Sequence, residues 1–128
     1  MATVNGETDS PTLRWTLWTV CVVAWTLVLV TSHPARVMHD VLPEQATFPV
    51  AKTGHVVGYA FLTILSAWLR VRGDRRWLLL VFLSLHGMGT EYAQTFNPDR
   101  HGCWADVGID HIGIVLGLAL SWKWWRSG

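Results

Sequence analysis

Four apolar segments constrain this chain more than any other feature of its sequence, because each has about the 20 residues that a helix needs to cross a bilayer. With 51% hydrophobic residues, 15% charged residues and nine tryptophans, the chain is more apolar than a typical soluble domain. The sequence therefore predicts an all-α fold, a four-helix transmembrane bundle. Its helices are expected at about 13–32, 52–71, 77–96 and 106–125.

The first apolar segment is preceded by a polar stretch and followed by no cleavage motif. Residues 1–12 contain Gly, Pro, Ser and Thr, a composition typical of a flexible leader. Segment 13–32 lacks the small-residue cleavage site of a signal peptide, so we expect an uncleaved helix. The chain is thus divided into a leader, 1–12, and one membrane domain, 13–128.

The connection between the first two segments contains three prolines. Pro34, Pro43 and Pro49 lie within residues 33–51 among mixed charges. Because proline interrupts the hydrogen bonding of a helix interior, this connection is predicted to be non-helical or to lie along the membrane interface.

Lysine and arginine are distributed unevenly over the two ends of the predicted helices. Four crossings would place only Arg36, Lys52 and Arg100, of ten in all, on the side opposite the termini. Since positive charge favours the cytoplasmic side, both termini are predicted to be cytoplasmic.

No basic run is long enough, or interleaved with aromatic residues, to indicate nucleic-acid binding.

Ionisable and polar residues interrupt the apolar helices near their outer ends. A charged group inside a bilayer is costly and usually faces the protein interior, which makes each one a candidate site residue. These residues are Lys52, His55, Glu91, Gln94, Asp106, Asp110 and His111. Because a helix rises 1.5 Å per residue, all of them lie within roughly 10 Å of the outer ends of their helices, and their side chains could converge there.

Some of these residues also have purely structural explanations. Lys52 could extend to the headgroups, and Asp106 could cap the exposed amides at the start of its helix. His86 lies deeper in the third helix and points away from Glu91, so we expect it to hydrogen bond between helices. Gly113 and Gly117 share a face with the two aspartates and favour close contact with another helix.

The acids need positive charge nearby, from a side chain or from a bound ion. Glu91 lies deep in its helix, and its candidate partners are Lys52, Arg100 and His55. The fork of Arg100 also matches a phosphate or a carboxylate, although a solvated loop arginine is the common alternative. Three acids and two histidines could instead hold a divalent cation. We favour the ion pairs and expect no metal ion and no other cofactor.

Several motifs occur in a defined order between Ala51 and Gly117. They are Lys52-x-x-His55 with Tyr59, Glu91-x-x-Gln94, Pro98-x-Arg100, and Asp106 followed by Gly113 and Gly117. In this order and spacing the chain resembles the VanZ-like family of small multi-pass membrane proteins.

Three positions depart from the pattern of that family. Ala51 stands where an acidic residue often precedes the lysine, and Asp99 stands where a glycine usually precedes the arginine. Asp110 replaces a usual asparagine and adds a negative charge to the site. The resemblance implies a multi-pass protein of the plasma membrane, in a family named for a member linked to resistance to the glycopeptide teicoplanin.

The leading hypothesis is an envelope protein whose outward-facing polar pocket recognises an anionic lipid headgroup or a lipid-linked cell-wall precursor. One alternative is a membrane hydrolase or transferase acting on a lipid-linked substrate, with His55 as general base or nucleophile. Another is a structural or partner-binding helix bundle, and the oligomeric state, a homo-oligomer included, stays open. The predicted binding residues are Lys52, His55, Glu91, Gln94, Arg100 and Asp106, with Asp110 in second rank.

Overall fold

A computed structural model describes residues 10–100 and 102–127, and this part of the chain is all-helical, without a strand. The all-α prediction is thereby confirmed. A short 3-10 turn, Gly73–Arg75, precedes the fourth helix. The α-helices are α1 (Pro11–Val30), α2 (His33–Val41), α3 (Glu44–Trp68), α4 (Arg76–Gln94), α5 (Trp104–Leu120) and α6 (Trp122–Ser127).

Two of these helices, α1 and α3, are long and apolar enough to cross a membrane, with mean hydropathies of 1.7 and 1.2. Length and composition select only these two within the described part of the chain. Helix α5 has 17 residues, and α4 is polar in its second half. The two apolar helices are by themselves weak evidence of membrane association.

Helices occupy most of the connection that the prolines predicted to be non-helical. Pro34 lies in the first turn of α2, where a backbone amide has no helical partner in any case. Pro43 precedes α3 as its N-cap, and Pro49 lies inside that helix. The non-helical prediction for 33–51 is therefore wrong, and the second long helix begins at Glu44 instead of near residue 52. The interfacial alternative stays a prediction.

The first helix begins within the segment that was assigned to the leader. The side chain of Ser10 accepts a hydrogen bond from the backbone N–H of Leu13 at 3.2 Å and caps α1, so Pro11 is already helical. Residues 1–9, the remainder of the predicted leader, lie outside the described residues.

Helices α3 and α5 make the most extensive contact of the bundle. A Cβ atom at Gly113 would lie 2.5 Å from the carbonyl oxygen of Val56, and one at Gly117 would lie 2.5 Å from that of Ala60. Neither position has room for a side chain, which confirms the close contact predicted for these two glycines. Helices α3 and α5 are thereby held side by side.

Tryptophans gather at the end of the bundle where α1 begins and α3 ends. The Nε1 atom of Trp18 donates to Ser66 Oγ at 2.8 Å, and Arg14 donates to the carbonyl of Trp68 at 3.3 Å. Trp77 stacks on Trp125 with ring centroids 5.8 Å apart. The polar residues of the candidate site lie at the opposite end.

Candidate functional site

His55 of α3 and Asp110 of α5 meet at the centre of the site. The Nδ1 atom of His55 lies 2.7 Å from Oδ1 of Asp110, and these residues are 8% and 0% exposed. Gly87 of α4 provides the space, because a Cβ atom there would come within 3.0 Å of Asp110 Oδ2. The close contact of α3 with α5 and a glycine on α4 together place a carboxylate beside the imidazole, away from solvent.

Glu91 of α4 brings a second carboxylate to the same imidazole. Its Oε2 atom accepts a hydrogen bond from the backbone N–H of Cys103 at 3.0 Å. Its Oε1 atom lies 4.0 Å from His55 Nδ1 and has no hydrogen-bond partner, although Glu91 is only 2% exposed. Because Cys103 directly precedes α5, the Glu91 charge lies at the positive end of that helix dipole.

Lys52 and Asp106 form an ion pair at the rim of the site, with Lys52 Nζ donating to Asp106 Oδ1. The Lys52 side chain is 24% exposed, whereas that of Asp106 is 7% exposed. Asp106 also lies in the first turn of α5, where a negative charge is favoured, so its structural explanation stays a prediction. Lys52 is thus the partner of Asp106, while Glu91 lies 4.0 Å from His55 Nδ1 and interacts electrostatically with Arg100.

Three polar side chains cap the C-terminal end of α1 and point away from this cluster: Gln94, Asn97 and Arg100. Gln94 Nε2 donates to the Leu29 carbonyl at 2.9 Å, and Asn97 Nδ2 donates to the Val30 carbonyl at 3.0 Å. Arg100 Nη2 donates to the carbonyls of Val28 and Thr31, at 2.6 and 3.1 Å. The last four carbonyls of a helix have no partner within it, so these side chains satisfy them. The structure therefore does not bring the predicted site residues Gln94 and Arg100 to His55.

A second hydrogen-bonded chain runs deeper in the bundle and links three helices. The Tyr59 hydroxyl lies 2.9 Å from His86 Nδ1, and His86 Nε2 lies 2.7 Å from the Thr26 hydroxyl. His86 is thus an interhelical hydrogen-bonding residue, as predicted. Sequence reasoning missed Thr26, because nothing in the sequence distinguishes it from the other threonines of the same apolar segment.

The cluster has the donor atoms to hold a cation. One nitrogen of His55 and one oxygen each of Glu91 and Asp106 lie within 4.8 Å of one another. The second histidine expected there, His111, instead hydrogen bonds to Ser84 at 2.6 Å. The structure brings together five of the seven predicted binding residues, namely Lys52, His55, Glu91, Asp106 and Asp110.

Comparisons with known proteins add no information about this site. The chain matches no protein-family model, no curated protein and no solved structure. The VanZ-like resemblance accordingly rests on the sequence motifs alone.

Proposed function

We propose that this chain is a VanZ-like integral membrane protein that crosses the plasma membrane four times and recognises an anionic lipid headgroup or a lipid-linked cell-wall precursor at its outer end. One observation carries the proposal: polar side chains are buried inside the bundle, whereas the surface of the bundle is apolar. Ionisable side chains such as Glu91 and Asp110 are buried between helices whose outward faces are apolar. This arrangement suits a lipid environment, in which polar groups are satisfied internally.

All four long helices expose large aliphatic side chains. Examples, one from each helix, are Val23 (52%), Val57 (60%), Leu85 (61%) and Val115 (62%). In the two candidate spans only 22% of the apolar window is buried, whereas the core helix of a soluble protein would be mostly buried. Apolar surface on every side of a bundle favours hydrocarbon as the surrounding solvent.

Most exposed aromatic side chains form two belts, as at the two interfaces of a membrane, and Phe61 and Phe82 lie between the belts. One belt contains Trp15, Trp77, Trp122 and Trp124, and the other contains Phe48, Tyr92, Phe96 and Trp104. Along α3 the two ends are marked by Phe48 and Trp68, about 20 residues or roughly 30 Å apart, which matches the hydrocarbon thickness. The spacing supports a spanning orientation.

The polar cluster lies at the end proposed to face outward. This end carries three of the ten lysines and arginines, Arg36, Lys52 and Arg100, so the positive-inside rule places the termini in the cytoplasm. Helix α1 is capped by α4 and by the loop after it, which supports its role as a permanent part of the fold over that of a cleaved signal.

Lys52 is the residue proposed to meet the headgroup. It lies at the rim, its ammonium group is 4.9 Å from the ring centroid of Phe48, and its side chain is partly exposed. An ammonium group has three donors, so binding Asp106 leaves others for a phosphate or carboxylate oxygen. Arg100 is not given this role, because its guanidinium group binds carbonyls of α1.

A membrane enzyme acting on a lipid-linked substrate is the second candidate, and the His55–Asp110 pair favours it. A carboxylate at Nδ1 fixes the tautomer and orientation of an imidazole and leaves Nε2 as the basic nitrogen. Such a histidine could take a proton from water or from a hydroxyl group. The substrate would enter from the outer leaflet, where lipid headgroups lie.

The experiment combines the purified full chain in detergent with extracted envelope lipids and identifies bound species by mass spectrometry. We expect a lipid or precursor to remain bound to the wild type and to be lost from Lys52→Gln, while Lys123→Gln at the opposite end keeps it. A chemically altered lipid that His55→Ala fails to produce would favour the enzyme. Absence of any bound or altered lipid would contradict both and favour the structural bundle.

A further inference from the structure

The buried acids of the site outnumber the cations that contact them among the described residues. Lys52 pairs with Asp106, and His55 serves both Glu91 and Asp110. Arg100 interacts electrostatically with Glu91, but its hydrogen bonds go to carbonyl groups of α1. None of these cations donates a hydrogen bond to Oε1 of Glu91.

Two oxygens of the cluster have no hydrogen-bond partner. They are Oε1 of Glu91, in a residue 2% exposed, and Oδ2 of Asp110, in a residue 0% exposed. A buried carboxylate oxygen without a partner is costly, since it has lost its hydration and gained nothing in return. Oε1 of Glu91 faces the imidazole of His55 at 4.0 Å, so an ion bound between these two residues would give this oxygen a partner.

We propose that His55, Glu91 and Asp106 bind a divalent transition-metal ion, with Asp110 as the residue that positions His55. The three donor atoms already lie within 4.8 Å of one another. Bonds of about 2.0–2.2 Å in a tetrahedral zinc site put neighbouring donors roughly 3.3–3.6 Å apart, so these three donors would move closer together when an ion binds. Asp106 has a second oxygen to offer while Oδ1 binds Lys52.

The donor types select the class of metal. Imidazole together with carboxylates favours Zn²⁺ or Mn²⁺, whereas Mg²⁺ and Ca²⁺ prefer oxygen ligands alone. A histidine that binds a metal usually donates its other N–H to a carboxylate, which is the relationship that Asp110 has with His55. The ion pairs that the sequence favoured are thus present, but they leave Oε1 of Glu91 without a hydrogen-bond partner.

The test measures metal binding to the purified full chain, stripped with a chelator and reloaded with Zn²⁺ or Mn²⁺, without any lipid. We expect one ion per chain in the wild type by elemental analysis, and a loss of affinity of roughly 100-fold or more in Glu91→Gln, at or above the loss typical of residues that only support a ligand. The amide oxygen of the introduced glutamine can still accept from Cys103, so this variant should fold. Asp99→Asn, an exposed acid outside the cluster, should bind like the wild type.

A second readout, the Tm, keeps the test valid if one of the variants fails to fold. Zn²⁺ should raise the Tm of the wild type but not that of Asp106→Asn or His55→Gln. A wild type that binds neither ion, or variants that bind as tightly as the wild type, would overturn the proposal and leave a proton as the balancing cation. Since no lipid is present, this outcome is independent of headgroup recognition.

Discussion

The Nδ1 atom of His55 lies 2.7 Å from Oδ1 of Asp110, although the two residues are 55 positions apart in the chain. Their helices approach closely because Gly113, one turn after Asp110, lies against the backbone of α3. Asp110 is fully buried in the bundle, and His55 is nearly so. This contact fixes the orientation of the imidazole on which both the metal site and the enzymatic alternative depend.

Asp110→Asn should weaken metal binding without unfolding the protein. The asparagine amide oxygen still accepts from His55, but the negative charge that strengthens the histidine as a ligand is gone. We expect affinity for Zn²⁺ to fall about 10–100-fold, measured by competition with a chelator. The Tm of the metal-free protein should not decrease, because a buried charge has been removed. Unchanged affinity would show that Asp110 does not position His55.

Gly113→Ala should destabilise the contact between α3 and α5. The added Cβ atom meets a backbone carbonyl that cannot rotate away, so the helices must separate, at a cost of about 1–3 kcal/mol. Thermal unfolding in detergent would measure the change. Gly108→Ala is the matched control, since a Cβ atom there contacts nothing within 4 Å and alanine favours the helix. Equal effects of the two substitutions would contradict the packing described.

Arg100→Ala should lower stability, because it leaves two carbonyls at the end of α1 without donors. Each unsatisfied buried group costs about 1–3 kcal/mol, and partial exposure reduces this. Arg100→Lys should restore little, because lysine lacks the planar fork that contacts both carbonyls. Thermal unfolding next to Arg126→Ala, an exposed arginine at the other end, measures the effect. A fully stable Arg100→Ala would return this arginine to the role of a ligand-binding residue.

The Arg36–Asp99 pair gives the fold a small, pH-dependent contribution. The hydrogen bond from Arg36 lowers the pKa of Asp99 below its ordinary value of 3.8. A lowered pKa means that the stabilisation is complete above pH 3.8 and is lost as the pH falls through the folded-state pKa. Arg36→Gln should therefore raise the pKa of Asp99, followed by the carboxyl carbon shift in NMR. An unchanged titration curve would show that the pair does not persist in solution.

The long helices could be predicted because apolar runs of membrane length have few alternatives, yet the start of α3 could not. Prolines are read as helix breakers, but Pro34 lies in a first turn and Pro43 precedes one, where a missing amide costs little. The sequence therefore predicted a loop over 33–51 where the structure has α2 and the beginning of α3. Local composition did not distinguish a helix interior from a helix start.

The depth of the site residues along their helices could likewise be predicted, whereas the direction in which each side chain points could not. Glu91 and Gln94 are three residues apart on α4, a spacing that predicts two neighbouring side chains on one face. Three residues correspond to a rotation of about 300°, so the two side chains differ by roughly 60° around the axis. That difference is enough for Glu91 to contact His55 while Gln94 contacts the end of α1. Only the packing of the neighbouring helices separates the two roles.

The most direct test of the central claim, a bundle that spans the membrane with its polar cluster outward, uses the native cysteines. Cys103 is exposed beside the cluster, whereas Cys21 is half-buried within α1. A membrane-impermeant maleimide added to intact cells should label Cys103 in a Cys21→Ala protein. In a Cys21→Ala/Cys103→Ser protein, Ser127→Cys on α6 should be labelled only after permeabilisation. Labelling of Ser127→Cys in intact cells while Cys103 of the Cys21→Ala protein stays unlabelled, or recovery of the protein outside the membrane fraction, would contradict the account.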